Sequence, residues 1–333
     1  MDYFIGVDVS KKTLDLAILK NGHLFMERQL ENKPESIRLF LKDFKRTQQV
    51  SLENVIVCME YTGVYNAIAL ELFWKKRMKI YLEPAVRIQK SLGIVRGKND
   101  KIDARRIAFY ILKNYQLLSL WKPHRLNIQK LQALLSLRDR LIKVKNQLEV
   151  PLKEAIGLID KTIIKALDRC TYQAVKGIRK DLKTVDQQIE ELVCADTAIN
   201  KHVQQLTSIP GIGMITAVNM IIYTNEFTRI TEAKKFACYA GVAPFEHRSG
   251  TSIRGKTRVS KLANMNMKAL LHLAAMSAIQ CNAEIKAFYT RKVAEGKNKM
   301  SVINAVRNKL IARVFACVKN NRTYEENYKN ILA

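Results

Sequence analysis

The sequence predicts an α/β domain built on a mixed, helix-covered sheet, followed by an arm of long helices and a mainly α-helical C-terminal domain. Three observations predict it. Extended runs alternate with helical stretches over the first third of the chain. From about 122 to 200 glycine and proline thin out while apolar residues recur at steps of three and four. Beyond 208 a Pro-Gly turn opens a region rich in apolar helical pattern.

In order along the chain, YFIGVDVS and TLDLAIL alternate apolar with polar or small residues, Asn21-Gly22 marks a turn, and HLFMERQL continues as a third extended run. Three antiparallel strands follow from this pattern. A helix near 34–47 leads to NVIVCME, a largely apolar strand. A helix over roughly 64–76, the strand KIYLEP and a helix beginning near Asp100 complete the set. The order β-β-β-α-β-α-β-α is that of a ribonuclease H-like sheet, mixed and covered by helices.

In the arm, Ile128, Leu131, Leu134, Leu137, Leu141, Val144 and Leu148 lie before Pro151, and Leu182, Val185, Ile189 and Leu192 repeat the spacing. Such helices pair as an internal hairpin or serve as an oligomerisation arm, coiled with another copy. SIPGIGMITAVNMII then sets a Gly-x-Gly turn, Gly211 and Gly213, before an apolar helix. The turn offers free backbone N–H groups to a phosphate, although a Pro-Gly turn before any buried helix reads the same way. FACYAGVAPFEHRSGTSIRGKTRVSK passes as a polar, basic loop, and helices fill roughly 264–320. The expected division is 1–118, 119–203 and 204–333.

Lys and Arg total 57 against 30 Asp and Glu in 333 residues, a formal charge of +27 that a neutral-metabolite enzyme does not need. The expected partner is a polyanion, DNA or RNA. No apolar run reaches the roughly 18 residues of a spanning helix, and MDYFIGVDVS lacks a basic leader, so the expectation is a soluble, cytoplasmic protein with no membrane partner. The six cysteines are scattered without a C-x-x-C pair and do not cluster with the five histidines. They are expected to be reduced thiols, mostly buried, rather than zinc ligands or disulfides.

Two constellations carry chemistry. Asp8 ends the first strand and Glu60 ends NVIVCME. If those strands are parallel neighbours, both carboxylates emerge at one sheet edge, where open α/β sheets place their sites. Asp100 and Asp103, at i and i+3 in RGKNDKIDARR, share a helix face that can point to the same edge. Gathered acids raise one another's pKa, and a hard divalent cation resolves the repulsion. Mg2+ or Mn2+ suits such oxygen donors, and a pair of ions about 4 Å apart activates a nucleophile and stabilises the leaving oxygen of a phosphodiester. Around them Arg96, Lys98, Lys101, Arg105 and Arg106 would hold the nucleic-acid backbone. Taken singly, each acid also reads as a turn cap, a salt-bridge partner or a first-turn helix residue.

The second constellation is HRSGTSIRGKTR. Gly250 lets the backbone turn and expose the Ser249 hydroxyl, while Arg254, Lys256 and Arg258 can grip flanking phosphates. A serine nucleophile needs a base or metal to draw off its proton. By spacing alone Ser252 is an equal candidate, and the segment also reads as an ordinary basic loop.

GVDVSKKTLDLAIL, MEYTGVY, KNDKIDARRIA, SIPGIGMITA and RSGTSIRGKTRVSK stand in the order found in the DEDD transposases of insertion sequences, relatives of the Piv-type DNA invertases, and the resemblance spans nearly the whole chain. It implies a RuvC-like N-terminal domain, similar to the Holliday-junction resolvase, a helical arm and a C-terminal transposase domain. It further implies that Asp8, Glu60, Asp100 and Asp103 form an acidic tetrad holding Mg2+ or Mn2+, and that Ser249 attacks DNA to form a phosphoserine link. A composite site shared between subunits, dimers assembling to a tetramer, donor and target DNA, a structured noncoding guide RNA and a nucleoid-associated location in a bacterial cytoplasm are implied with it. The sequence departs from the family pattern at Lys261-Leu262-Ala263-Asn264, commonly Lys-Arg-Gly-Asn, at Lys268, commonly arginine, and at Asn99-Asp100, often Thr-Asp.

Three other readings compete. A junction endonuclease of RuvC type would use metal-activated water and no serine. A kinase of the actin and sugar-kinase class needs a glycine two residues after its aspartate, where Ser10 stands, and does not suit the +27 charge. A non-catalytic RNA-binding or architectural protein would have no use for four acids.

Overall fold

The computed structural model describes residues 3–91, 100–249, 253–260 and 262–326. It divides into two compact units, Met1–Pro123 and His124–Ala333.

The first unit is a five-stranded sheet with helices on both faces. β1 (Tyr3–Val9), β2 (Thr13–Lys20) and β3 (His23–Glu31) form an antiparallel meander. Asn21 and Gly22, at φ 49° and 85°, make the turn between β2 and β3, as an Asn-Gly pair with both residues left-handed does. α1 (Pro34–Gln48) starts with proline in its first turn, where the missing N–H costs nothing. β4 (Val55–Glu60) pairs parallel to β1, and after a 3-10 turn at Gly63–Asn66 come α2 (Ala67–Lys75) and β5 (Lys79–Glu83), parallel to β4. α3 (Ala85–Ser91) and α4 (Asp100–Asn114) follow. The strand order is β3-β2-β1-β4-β5, the mixed ribonuclease H-like arrangement expected from the sequence.

The central strands read as near-continuous apolar runs because both faces are covered. Tyr3, Ile5, Val7, Leu14 and Leu16 meet Ile37, Leu41 and Phe44 of α1 and Leu70 and Phe73 of α2. Phe4, Ala17, Ile56, Cys58 and Tyr81 meet Ala104, Ile107, Ala108 and Ile111 of α4 on the other face. β3, at the sheet edge, carries Glu27, Arg28 and exposed Phe25 instead.

The second unit is mostly helical. α5 (Leu126–Glu154) and α6 (Lys161–Ala195) form an antiparallel hairpin clamped by Arg138–Asp186 and Arg179–Glu149 ion pairs at 2.6 and 2.7 Å. At its base Ile128, Leu131 and Leu135 are buried with Val185, Ile189 and Val193. Leu137 and Val144 on the same stripe are exposed. The helix does not stop before Pro151 but runs through it to Glu154. α7 (Thr197–Thr207), α8 (Met214–Thr224) and α9 (Ala233–Tyr239) complete the core's first half. The segment expected as a basic loop is an antiparallel hairpin of β6 (Pro244–Ser249) and β7 (Ile253–Val259). Ile253, Thr257 and Val259, residues that favour extended backbone, mark β7 among the charges that suggested a loop.

α10 (Met265–Cys281), α11 (Ala283–Ala294) and α12 (Lys299–Lys319) close the unit. Val306, Leu310, Ile311 and Val314 give α12 a fully buried stripe. Cysteine burial departs from expectation: Cys58 and Cys317 are buried, but Cys170, Cys194 and Cys281 are exposed because they sit on outward helix faces. All six are free thiols. No described helix is long and apolar enough to cross a membrane.

Candidate active site

Two parallel strands fix the first half of the site. β1 and β4 are in register from Tyr3 with Val55 to Val7 with Met59, so Asp8 and Glu60 follow each other at the same C-terminal edge. Alternation puts both on the face of Phe4, Ile56 and Cys58, the face that α4 covers. Gly6 sets how closely α4 can lie. A Cβ there would stand 2.2 Å from the Ala104 carbonyl oxygen and 2.2 Å from the Ala108 nitrogen, so the helix backbone rests on the strand itself. This contact carries the first turn of α4, with Asp100 and Asp103, to the edge where Asp8 emerges.

Electrostatics records the convergence. The half-buried Asp8 carboxyl is pushed up to about 6, first by burial, then by the negative charges of Asp100, Glu60 and Asp103. The four acids therefore share one field. Asp103 also accepts a hydrogen bond from Arg106 at 2.7 Å, which leaves this pair largely shielded from solvent. Among the described residues no three His, Cys, Asp or Glu side chains close into a metal cage. The donor set nevertheless suits a hard divalent cation, since it is all carboxylate oxygen and carries a repulsion that such a charge would relieve.

Other residues hold the edge in shape. Asn66, buried, donates through Nδ2 to the Glu60 carbonyl at 2.9 Å and accepts from the Thr62 N–H and hydroxyl at 2.7 and 3.0 Å. Asn32 donates to the Ser10 and Tyr65 carbonyls, both at 3.0 Å, tying the loop after β1 to the loop after β4. Glu83 ends β5 beside Glu60, is 5% exposed and pairs with Arg87 at 2.9 Å. The Tyr110 hydroxyl near it is pushed up to about 12 by burial and by that carboxylate. Sequence reading passed over these residues. Glu83 had a usable signal, an acid ending a parallel strand as Glu60 does. Asn32 and Asn66 had none beyond being asparagines after strands.

The basic residues proposed around the acids fall into three groups. Arg96 and Lys98 lie outside the described residues. Lys101 is exposed on α4. Arg105 makes a bidentate pair with Glu27 of β3 at 2.5 and 2.6 Å, bracing α4 against the sheet edge, and Arg106 holds Asp103.

In the second unit Ser249 is the last residue of β6 and pairs with Ile253 at the end of the hairpin. Gly250 and Ser252 lie outside the described residues. Arg254, Lys256 and Arg258 occupy β7, with Arg254 opposite Arg248. Gly211 has φ +90°, and a Cβ there would meet the Ala274 carbonyl oxygen at 2.4 Å, so this turn is packed on α10. Gly213 is the exposed N-cap of α8, with open space where a Cβ would be.

Two family models match the chain. That of the IS110-type DEDD transposases, described as a transposase, matches residues 5–157, and "Transposase IS116/IS110/IS902 family" matches 203–290. The pilin gene-inverting protein of Moraxella lacunata is 26% identical over 97% of this chain and 98% of its own length. The transposase for insertion sequence element IS1111A of Coxiella burnetii is 24% identical over 68% of each chain. Among solved structures, T. thermophilus RuvC in complex with Holliday junction substrate matches 36% of this chain and 100% of its own at a TM-score of 0.28 and 10% identity.

Proposed function

The chain belongs to the IS110 family of DEDD transposases, enzymes that cleave and join DNA, and from that premise we propose that it works through a serine-linked intermediate at an acidic, metal-assisted site. The observation that carries the reading is geometric: parallel pairing of β1 with β4 and the seating of α4 on Gly6 bring Asp8 and Glu60 to one sheet edge with the first turn of α4.

In this reading Asp8, Glu60, Asp100 and Asp103 hold Mg2+ or Mn2+. When bound, the cation supplies positive charge to the phosphate under attack. The Ser249 hydroxyl forms a bond to phosphorus as a P–O bond of the DNA strand breaks, and its proton passes to a base or water. The bond energy is kept in the phosphoserine, so a second strand hydroxyl can displace the serine and rejoin DNA with no external energy source. Arg254, Lys256 and Arg258 grip the strand next to Ser249, and Lys101 with Arg105 and Arg106 does so beside the acids. The backbone around Gly211 and Gly213 contributes to phosphate contact at the exposed start of α8.

Residues 1–118 form the acidic domain, 119–203 the arm and 204–333 the domain that delivers the serine, from a neighbouring subunit of a tetramer. The far end of the α5–α6 hairpin supports association through the arm, for Ile156, Leu158, Ile163 and Leu167 are exposed there. Donor and target DNA are the substrates, and a structured guide RNA is the further partner that the +27 charge accommodates. Denaturing gels of the protein with labelled DNA and Mg2+ test the reading. A strand covalently linked to protein at Ser249 is expected, whereas cleavage without a link would identify a RuvC-type endonuclease using water.

A further inference from the structure

Among the described residues, the second unit buries a cation that no carboxylate pairs with. Arg307, midway along α12, is 5% exposed. Its Nη1 donates to Asn304 Oδ1 at 3.3 Å, its Nη2 to His272 Nδ1 at 2.5 Å, and its Nε has no partner. No carboxylate among the described residues pairs with it. A guanidinium keeps its charge when buried, so leaving it unpaired is costly unless something else supplies the opposite charge. Arg313, two turns further on, shows the usual solution, an ion pair with Glu284 at 2.6 Å and a ring contact with Tyr324.

The groups that meet Arg307 are a neutral amide oxygen and an imidazole nitrogen rather than acids. A guanidinium has nothing to accept with, so His272 accepts on Nδ1 and carries its proton on Nε2, where no described protein group meets it. Lys268 lies one turn earlier on the same face of α10, half-buried, its Cδ 3.5 Å from the Cβ position of Gly241. Asn304 donates to the Val242 carbonyl at 2.7 Å. Gly241, at φ +63°, has no room for a side chain, since a Cβ would stand 2.7 Å from that of Ala263. Buried Arg307 thus has half-buried His272 and Asn304 against it, with half-buried Lys268 one turn from His272 on α10 and against Gly241. The group sits at the root of the β6–β7 hairpin, since Pro244 begins β6 two residues after Val242.

We propose that Arg307, His272 and Lys268 form a binding site for one phosphate of a nucleic-acid backbone. Lysine ammonium, imidazole N–H and guanidinium together offer the convergent donors a phosphate accepts, and a chain of charge +27 selects a polyanion over a carboxylate partner. The choice of nucleic acid rests on the transposase reading; the anion site does not.

Thermal melts of the purified full chain in sodium sulfate, against sodium chloride of equal ionic strength, probe the anion. The wild type is expected to gain several degrees in a saturable way, and Lys268→Met and His272→Phe to lose at least half of the gain. Equal gains in all three proteins would overturn the site. Binding to a mixed-sequence DNA duplex at several salt concentrations probes the source. Lys268→Met should weaken binding about tenfold and lower the salt slope by about one. A sulfate response that disappears while DNA affinity stays unchanged would assign the site to a free anion or to a carboxylate of a second copy, and would overturn the nucleic-acid assignment. Arg307→Met should melt higher than wild type in chloride, because the unpaired charge is gone. A lower melt, or an unfolded protein, would make the guanidinium a core strut and overturn its part in the site. None of these readouts uses strand cleavage, so failure of the transposase reading would leave them interpretable.

Discussion

Gly6 of β1 lies directly beneath Ala104 of α4, with 2.2 Å between its missing Cβ and the Ala104 carbonyl oxygen. The neighbour is helix backbone, which cannot swing aside as a flexible side chain would. Gly6→Ala should therefore lift α4 from the sheet, at a cost of about 2–3 kcal/mol in chemical denaturation. Cleavage should fall by more than a hundredfold although every acid is intact. A variant with wild-type stability and activity would show that the contact does not set the site.

Ser249→Ala should abolish both the covalent adduct and strand exchange while DNA affinity, measured by filter binding, stays within about twofold. Should the adduct persist and map by peptide sequencing to Ser252, that serine and not Ser249 is the nucleophile.

Asp8→Asn and Asp103→Asn should each remove cleavage at every Mg2+ concentration, by three or more orders of magnitude. The companion measurement is the rise in melting temperature on adding Mn2+, expected in the wild type and abolished in both variants. Cleavage by Asp8→Asn at high metal would contradict the four-acid reading.

Asp196 offers a pH test away from the site. It caps α7 and is buried against Arg125 at 2.9 Å, which with Asn127 and the Ile199 N–H holds its carboxyl down at about 2. A carboxyl depressed on folding contributes stability that is present above its unfolded value and lost as pH falls through its folded value. The wild type should lose this contribution between about pH 4 and pH 2. Asp196→Asn should be less stable by about 2 kcal/mol at neutral pH and show a flatter acid limb in urea titrations. Parallel acid limbs would contradict the assignment.

Lys101→Glu and Lys256→Glu should weaken DNA binding and lower the slope of affinity against salt by about one for each phosphate that is no longer held. An unchanged slope would remove either residue from the set that grips the backbone.

The sheet was legible because its rules are local. Alternation in YFIGVDV and TLDLAIL, the Asn21-Gly22 turn and the apolar run of β4 each follow from one strand's own residues. That Asp8, Glu60, Asp100 and Asp103 can meet at one edge followed from parallel pairing of β1 with β4 and the i, i+3 spacing, whereas their reading as an acidic tetrad came from the family resemblance. What stayed hidden depends on distant neighbours. Gly6 looks like any strand glycine until α4 is laid on it, and the seven residues of α3 are too few for a helical period. Glu83 owes its burial to Arg87 and Tyr110, the latter on a different helix. The β6–β7 hairpin reads as a loop in the sequence because its charges outweigh its extended-backbone formers. Arg307 gave no sign either, for one more arginine in a basic chain says nothing about whether an acid comes to meet it.

The Asn32 bridge has a mechanical consequence. Because one amide grips both Ser10 and Tyr65, the stretches leaving β1 and β4 are coupled like two leaves on one hinge pin. A force that displaces either is transmitted to its companion, so the edge that carries Asp8 and Glu60 is held from both sides by one side chain.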